Sequence, residues 1–361
     1  MWFKYLVFLI LSLNSFASFA KTTTVMIYWA VDNDLYQFSI PYLNQFKSLA
    51  DGSKLNLFLE YDYPGNKHSE RFINFKLIEK IGERDSAHPD TLTDFIRFGA
   101  KSFPADEFVL IIASHGSNWS GVIEDRTSST YMSLKNLRTA LMRGNDYLPS
   151  KKIDLLIFDA CRMSYLETLF MIGDQAHLIL GSAFDVNGFN HRTPLREHIL
   201  TGQSLLKTAK TYVDVYPRFP GNREYPEMGA SLLKSNDYLD LFFLSKFFNE
   251  LILRTDDDLK MLMSEIFYTG GKNEDWGFDL LRLIRTSGEL FPELLESSLY
   301  LQIKFSDLII SSSVTPGSIT HSGLGLTCAK ELSQYKKSLI SSEIPEWANL
   351  CKRLRKFPKE N

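Results

Sequence analysis

The sequence of 361 residues has only three cysteines and almost no excess of charge of either sign. Three cysteines do not make the disulfide framework of a small secreted domain. A pairing of Cys328 with Cys351 would leave Cys161 as a free thiol. The 40 basic and 43 acidic residues give a formal net charge of -3, which removes any global electrostatic case for nucleic acid as a partner. Binding specificity must therefore come from a local site.

Long apolar runs are also scarce, and the one that stands out lies in the first 20 residues. Lys4 precedes an apolar run from Tyr5 to Leu13, and small residues follow up to Ala20. This is the pattern of a secretory signal peptide that is cleaved after Ala20. The run is shorter than the roughly 20 residues that span a bilayer. We therefore expect a secreted or periplasmic mature protein with no stable membrane insertion.

The rest of the chain is rich in apolar residues, at 44% hydrophobic and 13% aromatic overall, and can fill a large core. Strand-like runs alternate with helical patterns as far as about residue 183. The predicted strands are TTTVMIYWAVDND, KLNLFLEYDYPGN, RFINFKLIEKIG, DEFVLIIAS, KIDLLIFDAC and HLILGSA. The predicted helices are TLTDFIRFGAKSF, SLKNLRTALMR with Ser133 as its N-cap, and SYLETLFMIG with Ser164 and Glu167 at capping-box spacing. This alternation predicts an α/β fold with a parallel sheet and helices on both faces.

From about Leu239 onward the pattern becomes largely helical, in YLDLFFLSKFFNELILR, DDLKMLMSEIF and WGFDLLRLIRTS. The apolar stretch SGLGLTC predicts a returning strand near 322–328. We therefore divide the chain into a signal peptide over 1–20, an α/β core over 21–235 and a mainly helical part over 236–361 that packs on the core.

Two of the predicted core strands end in reactive residues. VLIIAS runs out at His115, and DLLIF runs out at Asp159, Ala160 and Cys161. Reactive groups collect at the carboxyl ends of strands in open α/β sheets, so neighbouring strands would bring imidazole and thiol together. His115 would then generate the thiolate, helped by the helix that opens near Ser164. The backbone N–H groups of Gly116 and Cys161 would form an oxyanion hole.

Each of these residues alone has an ordinary structural explanation. A histidine after a strand is usually a hydrogen-bonded loop residue, and a lone cysteine is usually a small buried hydrophobe. A zinc site is the other chemical option, but neither residue lies in a paired ligand motif, so no metal is predicted there. The placement of both residues at strand ends favours a Cys/His pair. The number of residues between His115 and Cys161 is close to the roughly 50 that separate histidine and cysteine in caspases.

Three stretches carry a resemblance to a known family: VMIYWAVDNDL, TLTDFIRFGAKSFPADEFVLIIASHGSNWSGVIED and LLIFDACRMSYLETLF. They resemble the clostripain family of cysteine peptidases, relatives of the caspases, gingipains and legumains. The resemblance covers roughly Thr24 to Ala183 and continues loosely in MGASLLKSNDYLDLFFLSKFFNEL. It implies a caspase-like three-layer α/β/α sandwich over 21–235 and a peptide or protein substrate. It also implies that Cys161 is the nucleophile and His115 the general base and then the acid.

The resemblance also implies a specificity pocket. Family members typically cleave after Arg or Lys, and Asp159 holds the position of the aspartate that helps to line the pocket; a turn or capping role is its alternative. Asn118 stands where the family usually has glycine. Asn187 stands where a second acidic pocket residue is expected, and Asp185 lies close enough in sequence to compensate. Without such compensation the preference for a basic residue weakens.

Family members are often zymogens that cut themselves between the histidine and the cysteine. The candidate processing sites are Arg126, Lys151 and Lys152. No cofactor is required by the predicted chemistry. Some relatives need calcium, and Asp32, Asn33 and Asp34 form an oxygen-rich turn, although such residues more often serve the turn itself.

The sequence leaves two alternatives to a peptidase. One is a catalytically inactive protein of the same fold that binds peptides or a surface partner, because Asn118 and Asn187 depart from the family pattern. The other is a peptide-bond transferase, which would form the same acyl-enzyme.

Overall fold

The computed structural model describes residues 21–50, 55–65, 68–218, 229–235, 239–266, 268–269, 274–315 and 321–358. The predicted signal peptide lies outside the described residues.

The strands follow the apolar runs of the sequence. In the described ranges they are β1 (Thr23–Ala30), β2 (Leu55–Asp62), β3 (Ser69–Ile73), β4 (Lys76–Gly82), β5 (Glu107–Ala113), β6 (Gly116–Ser117), β7 (Gly121–Asp125), β8 (Thr130–Met132), β9 (Ile153–Asp159), β10 (Ala176–Gly181), β11 (Gly229–Lys234), β12 (Tyr268–Thr269), β13 (Trp276–Asp279), β14 (Ile309–Val314) and β15 (Gly325–Cys328). Nine of these described strands form one sheet with the order β14-β11-β10-β9-β5-β1-β2-β3-β4. The five central strands β2, β1, β5, β9 and β10 are parallel, and antiparallel strands flank them on both sides.

Helices cover both faces of the sheet. The described helices are α1 (Tyr36–Ala50), α2 (Pro89–Ser102), α3 (Leu134–Asn145), α4 (Leu166–Ile172), α5 (Arg192–Thr201), α6 (Leu205–Val215), α7 (Leu241–Ile252), α8 (Asp256–Glu265), α9 (Leu280–Leu290), α10 (Leu295–Ser306), α11 (Leu332–Tyr335), α12 (Leu339–Glu343) and α13 (Pro345–Leu354). Side chains alternate along β1, so that Met26 and Tyr28 join the apolar cluster on one face, and Val25, Ile27 and Trp29 join the other. The predicted α/β sandwich with a mostly parallel sheet is confirmed.

The predicted strand RFINFKLIEKIG is wrong as a single element, because it is a hairpin. β3 and β4 pair through Ile73 and Lys76, which leaves a two-residue turn at Asn74 and Phe75. Both turn residues have positive φ, 46° and 61°. Two-residue turns with positive φ match the twist of the strands and usually contain Asn-Gly. Because Phe75 stands in place of the glycine, the sequence does not predict the turn.

The predicted capping box at Ser164 and Glu167 is also wrong. Helix α4 begins at Leu166, and Ser164 Oγ donates to the carbonyl of Gly323. Glu167 is buried and accepts hydrogen bonds from the Thr327 N–H at 2.9 Å and the Tyr335 hydroxyl at 3.1 Å. Both side chains therefore connect α4 to the C-terminal part of the chain.

The C-terminal part contains more strand than the sequence predicts. The stretch WGFDLLRLIRTS is a strand, β13, followed by helix α9, whose N-cap Asp279 accepts from the Arg282 N–H at 3.1 Å. β13 pairs with β12 and β15 in a separate antiparallel sheet, and β14 joins the edge of the main sheet beside β11. β15 lies within the region where a returning strand is predicted. Its Gly325 N–H donates to the Ser164 carbonyl at 2.9 Å.

The three cysteines divide as one pair and one free thiol. A disulfide joins Cys328 on β15 to Cys351 on α13, with 5.5 Å between their Cα atoms. Cys161 is free and partly exposed.

Candidate active site

Strand register places His115 and Cys161 at the same edge of the sheet. β5 and β9 are neighbouring parallel strands, and Ala113 pairs with Asp159. His115 and Cys161 each follow that pair by two residues. Two predicted strand ends that are far apart in sequence therefore meet in space.

One cavity of about 500 Å³ contains both residues. Asp159, Asn187 and Gly188 also line it. Its other lining residues are Trp29, Val31, Leu35, Phe38, Ser39, Ala113, Ser114 and Val186. The cavity thus combines a thiol, an imidazole and a carboxylate with largely apolar walls, as ligand sites usually do.

The surroundings of Cys161 favour the protonated thiol. Its sulfur accepts from the Val186 N–H at 3.4 Å and lies 4.0 Å from the Val186 carbonyl oxygen. Burial, followed by the charge of Asp185, raises the pKa of the thiol to about 11. The expectation that the histidine and the following helix lower this pKa is not met in this conformation. The helix begins only at Leu166, five residues beyond the sulfur in sequence.

Two carboxylates face His115. Its Nε2 lies 2.9 Å from Asp34 Oδ1 and 3.7 Å from Glu124 Oε2. The hydrogen bond from His115 is the main reason that the pKa of Asp34 is lowered. The sequence indicates only an oxygen-rich turn at Asp34, because nothing in the His-Gly motif points to a residue in the turn after β1.

Arg126 shares the same two carboxylates. Its Nη2 lies 2.6 Å from Asp34 Oδ1, and its Nε lies 3.4 Å from Glu124 Oε2. Its backbone N–H donates to the Asp32 carbonyl at 2.9 Å. The candidate processing residue is therefore tied to the turn that also holds His115.

Gly116 lies directly against the backbone of Cys161. A Cβ atom at Gly116 would be 2.3 Å from the Cys161 carbonyl oxygen and 3.1 Å from its nitrogen. Only glycine allows this approach, which brings together the two residues predicted to form the oxyanion hole.

Asp159 lines the cavity but is already engaged. Its Oδ2 lies 2.9 Å from Nε2 of His191, which is completely buried. Phe46 stacks on the His191 ring, and His191 Nδ1 lies 3.1 Å from the Tyr212 hydroxyl. A buried aromatic framework therefore fixes the orientation of the Asp159 carboxylate.

The expectation that Asp185 supplies a second pocket carboxylate is wrong in this structure. Asp185 forms an ion pair with Arg162, with an Nε–Oδ1 distance of 2.7 Å and an Nη2–Oδ2 distance of 3.1 Å, and its side chain is 64% exposed. It is not among the residues that line the cavity, whereas Asn187 is. Arg162, which follows Cys161, is the physical reason, because it binds the Asp185 carboxylate bidentately.

The sequence model of the clostripain family matches residues 27–285, which is most of the chain and includes the whole site. The chain belongs to the clostripain family. It is thus a cysteine peptidase, and its fold is caspase-like.

Solved structures of clostripain-family proteases share this fold. An inactive zymogen protease from Parabacteroides distasonis is 23% identical, with a TM-score of 0.65 over 90% of this chain and 98% of that one. A secreted cysteine protease from Bacteroides thetaiotaomicron, in complex with an irreversible peptide inhibitor, is 17% identical, with a TM-score of 0.63 over 91% and 99%. The comparison with curated proteins gave no match.

The departure from the clostripain pattern at Asn118 has a backbone explanation. Asn118 has a φ of 41°, in the left-handed region where glycine is most comfortable and asparagine is tolerated. Its Oδ1 accepts from the Trp119 N–H at 2.8 Å, and the residue is buried. The asparagine therefore keeps the loop conformation that glycine would allow.

The two lysines proposed as processing sites lie in the turn between α3 and β9. Lys151 is exposed, with a φ of 57°, and its Nζ donates to the Asp146 carbonyl. Lys152 lies next to it at the start of β9 and is partly exposed.

Among the described residues, Cys161 does not lie in a cluster of possible metal ligands with His115. His115 groups with Asp34 and Glu124, whose ligand atoms lie within 4.8 Å of one another. The three residues of the oxygen-rich turn, Asp32, Asn33 and Asp34, also do not point toward one common metal site. Asp34 faces His115, Asn33 donates to the Ala30 and Glu124 carbonyls, and Asp32 accepts the N–H groups of Gly65 and Thr127.

The helices in the described part of the chain are all too short or too polar to span a bilayer.

Proposed function

We propose that this protein is an exported cysteine endopeptidase that cleaves peptide bonds after Arg or Lys, with Cys161 as nucleophile and His115 as general base and acid. The observation that carries the proposal is the placement of both side chains on one cavity at the ends of neighbouring strands, with Asp159 in the same wall. Export is supported by the signal-like pattern of residues 1–20 and by the secreted relative.

The first chemical step joins proton transfer to attack. Nε2 of His115 is held by Asp34, which leaves Nδ1 to take the proton from the Cys161 thiol. The thiolate then attacks the carbonyl carbon of the scissile bond, and the oxyanion binds to the backbone N–H groups of Gly116 and Cys161. Burial raises the pKa of the resting thiol, so we propose that His115 takes the proton as the sulfur attacks.

The second half of the reaction reverses the proton's path. His115 gives its proton to the departing amine, and the carbonyl carbon remains bonded to sulfur as a thioester. Water, deprotonated by His115, then attacks the thioester and releases the acid product and the thiol. Imidazole and thiol supply base and nucleophile, so we propose that the chemistry itself needs no cofactor.

The preference for Arg or Lys is supported by one carboxylate and the apolar walls around it. Asp159 would meet the cationic end of the side chain, and Val31, Leu35 and Phe38 would cover its alkyl stem. Asn187 adds an amide oxygen in place of a second carboxylate. We expect a weaker discrimination against neutral side chains than two carboxylates would give.

The contacts of the three candidate processing residues favour Lys151 or Lys152 over Arg126. Arg126 is bonded through both its backbone and its side chain, whereas Lys151 lies on an exposed turn. Cleavage there would leave the pairing of Arg126 with Asp34 intact. Lys151→Ala and Lys152→Ala together should leave the chain uncut, as judged by gel electrophoresis, while Arg126→Ala should still be cut.

The test of the proposed function uses the chain over residues 21–361 and fluorogenic peptides ending in Arg, Lys, Asn, Asp or Leu. We expect turnover of the Arg and Lys peptides that disappears in Cys161→Ala and in His115→Ala. Asp159→Asn should lower kcat/KM for Arg and Lys peptides by about 100-fold. Asp214→Asn, at an exposed position on α6, is the matched control and should change it little.

Other results would change the proposed specificity or the proposed function. Turnover of only the Leu or Asn peptide would keep the dyad and reject Asp159 as a selector of basic residues. No turnover, with Cys161 inert to a peptidyl electrophile even after nicking by trypsin, would support a binding protein. Amide products with an added amine in place of acid products would support a transferase.

A further inference from the structure

The carboxylate of the proposed specificity pocket is held by a buried histidine. His191 is the residue before α5, and its side chain is completely buried, while the side chain of Asp159 is 7% exposed. Nε2 of His191 lies 2.9 Å from Asp159 Oδ2, and Nδ1 lies 3.1 Å from the Tyr212 hydroxyl. Because Oδ2 is turned toward the buried ring, Asp159 is left with one oxygen, Oδ1, for a cation in the cavity.

Two neighbouring helices hold the His191 ring in this position. Phe46 on α1 stacks on the ring, with centroids 4.8 Å apart, and Tyr212 on α6 meets it edge-on at 5.5 Å. Burial and the charge of Asp159 raise the pKa of Tyr212, so its hydroxyl keeps its proton and can donate it to Nδ1. Nε2 then carries the ring hydrogen and donates it to Asp159 Oδ2. The carboxylate cannot rotate toward the cavity without breaking this hydrogen bond.

The cavity offers a bound cation few other acceptors. Among the described residues that line it, Asp159 is the only one with a carboxylate, because Asp185 pairs with Arg162 instead. A guanidinium has five N–H donors in a planar fork that matches two carboxylate oxygens, whereas an ammonium has three donors that single acceptors can satisfy. A guanidinium bound to Oδ1 alone would therefore leave more of its donors without partners than an ammonium would.

We propose that His191 makes the pocket prefer lysine over arginine, because it holds one oxygen of Asp159 away from the substrate. This preference rests on the proposed function, in which Asp159 receives the basic side chain. His191 does not touch the substrate, so it is a positioning residue that acts through Asp159. The preference agrees with Lys151 and Lys152, rather than Arg126, as the favoured processing sites.

The test uses the chain over residues 21–361 and two fluorogenic peptides of one sequence that end in Lys or in Arg. The measured quantity is kcat/KM for the Lys peptide divided by kcat/KM for the Arg peptide. The fraction of folded enzyme cancels in this ratio. We expect a ratio of about 10 for the native chain, since one charge-assisted hydrogen bond gained or lost changes binding by roughly that factor.

Variants of His191 separate its hydrogen bond from its packing. His191→Phe keeps a flat ring beside Phe46 and removes the donor to Asp159. Oδ2 can then turn to the cavity, so the ratio should fall to about 1, mainly through a lower KM for the Arg peptide. His191→Gln offers an amide N–H in place of Nε2 and should keep the ratio well above 1.

His198→Gln is the matched control. His198 lies on α5, is 8% exposed, and places its Nε2 2.9 Å from the Thr23 hydroxyl, so the change removes a second buried histidine that does not contact Asp159. This variant should keep the native ratio even where its stability falls.

Two results would overturn the role of His191: a ratio of 1 or less in the native chain, or a ratio that stays near the native value in His191→Phe. A purely structural histidine would give the second result, because its loss would lower kcat/KM for both peptides alike.

A labelling experiment separates this inference from the proposed function. Peptidyl chloromethyl ketones that end in Lys or Arg report the same preference through the rate at which they alkylate Cys161, without hydrolysis. Faster labelling by the Lys reagent in a chain that hydrolyses neither peptide would keep the preference and reject the proposed endopeptidase activity. Hydrolysis of both peptides with equal kcat/KM would do the reverse.

Discussion

At the scale of single residues, the site depends on what each reactive side chain touches beyond its motif. Burial raises the pKa of the Cys161 thiol, and His115 Nε2 lies 2.9 Å from Asp34 in the turn that follows β1. Asp159 is fixed by His191, and Asp185 is removed from the pocket by Arg162. The motif residues indicate the type of reaction, and the residues that contact them determine its rate.

Asp34 is the partner whose removal tests this view most directly. Asp34→Asn should lower kcat by about 10- to 100-fold with little change in KM, because the imidazole loses the group that orients it toward the thiol. Steady-state kinetics with the Arg peptide measure this split. Glu124→Gln is the comparison variant and should have a smaller effect, since its oxygen is 3.7 Å from His115 Nε2.

An unchanged kcat in Asp34→Asn would remove Asp34 from the positioning of His115. A fall in Tm that parallels the fall in activity would instead assign the effect to folding. Asp34 is about half exposed, so we expect the Tm to change little.

At the scale of elements, close backbone contacts position the site. β6 leads away from His115, and its first residue, Gly116, lies against the backbone of Cys161. Gly116→Ala would place a methyl group 2.3 Å from the Cys161 carbonyl oxygen, and backbone cannot move aside cheaply. We expect a loss of more than about 100-fold in kcat/KM, because the oxyanion donors separate.

The matched control for this change is Gly202→Ala at the end of α5. Gly202 has a φ of 63° and no atom within reach of the added methyl group. It should lose about 1 kcal/mol of stability from backbone strain and keep its activity. Equal activity in both variants would contradict a close Gly116–Cys161 contact.

Glu167 connects α4, the helix that follows Cys161, to the C-terminal part. Its burial raises its pKa to about 7, and Oε2 has no hydrogen-bond partner. A carboxyl group whose pKa is higher in the folded state stabilises that state below its unfolded pKa near 4.5 and loses this contribution as pH rises toward 7. The free energy of unfolding should therefore fall by about 3 kcal/mol from this group between pH 4.5 and pH 8.

Glu167→Gln should remove most of that pH dependence, as measured by urea unfolding at several pH values. The unfolding free energies of native and variant chains should be similar at low pH, where Glu167 is protonated, and separate in favour of the variant at high pH, where only the native chain loses stability. A difference between them that does not change with pH would show that Glu167 does not titrate in this range.

Several elements could be predicted from sequence, and the exceptions share a cause. Continuous apolar runs located β5, β9 and β10 because strands buried on both faces need them. The β3–β4 hairpin was missed because Asn74 and Phe75 take positive φ without glycine, and Ser164 was misread as a cap because its partner is Gly323, far away in sequence. Likewise His115 and Cys161 were found from their own strands, whereas Asp34 and His191 depend on tertiary contacts that no local pattern records.

At the scale of the whole molecule, the C-terminal part is built onto the core. β14 extends the main sheet, Tyr165 forms a parallel bridge with Gly325, and one apolar cluster runs from α2 to α13. Cys328 and Cys351 close this arrangement by joining β15 to the last helix. The loop that they close spans 23 residues.

Closing a loop of this length should stabilise the folded chain by about 3 kcal/mol, chiefly by restricting the unfolded chain. The double variant Cys328→Ser, Cys351→Ser should show that loss in urea unfolding, and the reduced native chain should match it. Reductant should have no further effect on the double variant, and Cys161→Ala should respond to reductant as the native chain does. Since β15 contacts Ser164, just before α4, and Glu167 on α4, loosening this end should also speed inactivation on warming. Retention of full stability after reduction would mean that the apolar packing around Trp347 alone holds α13 on the core.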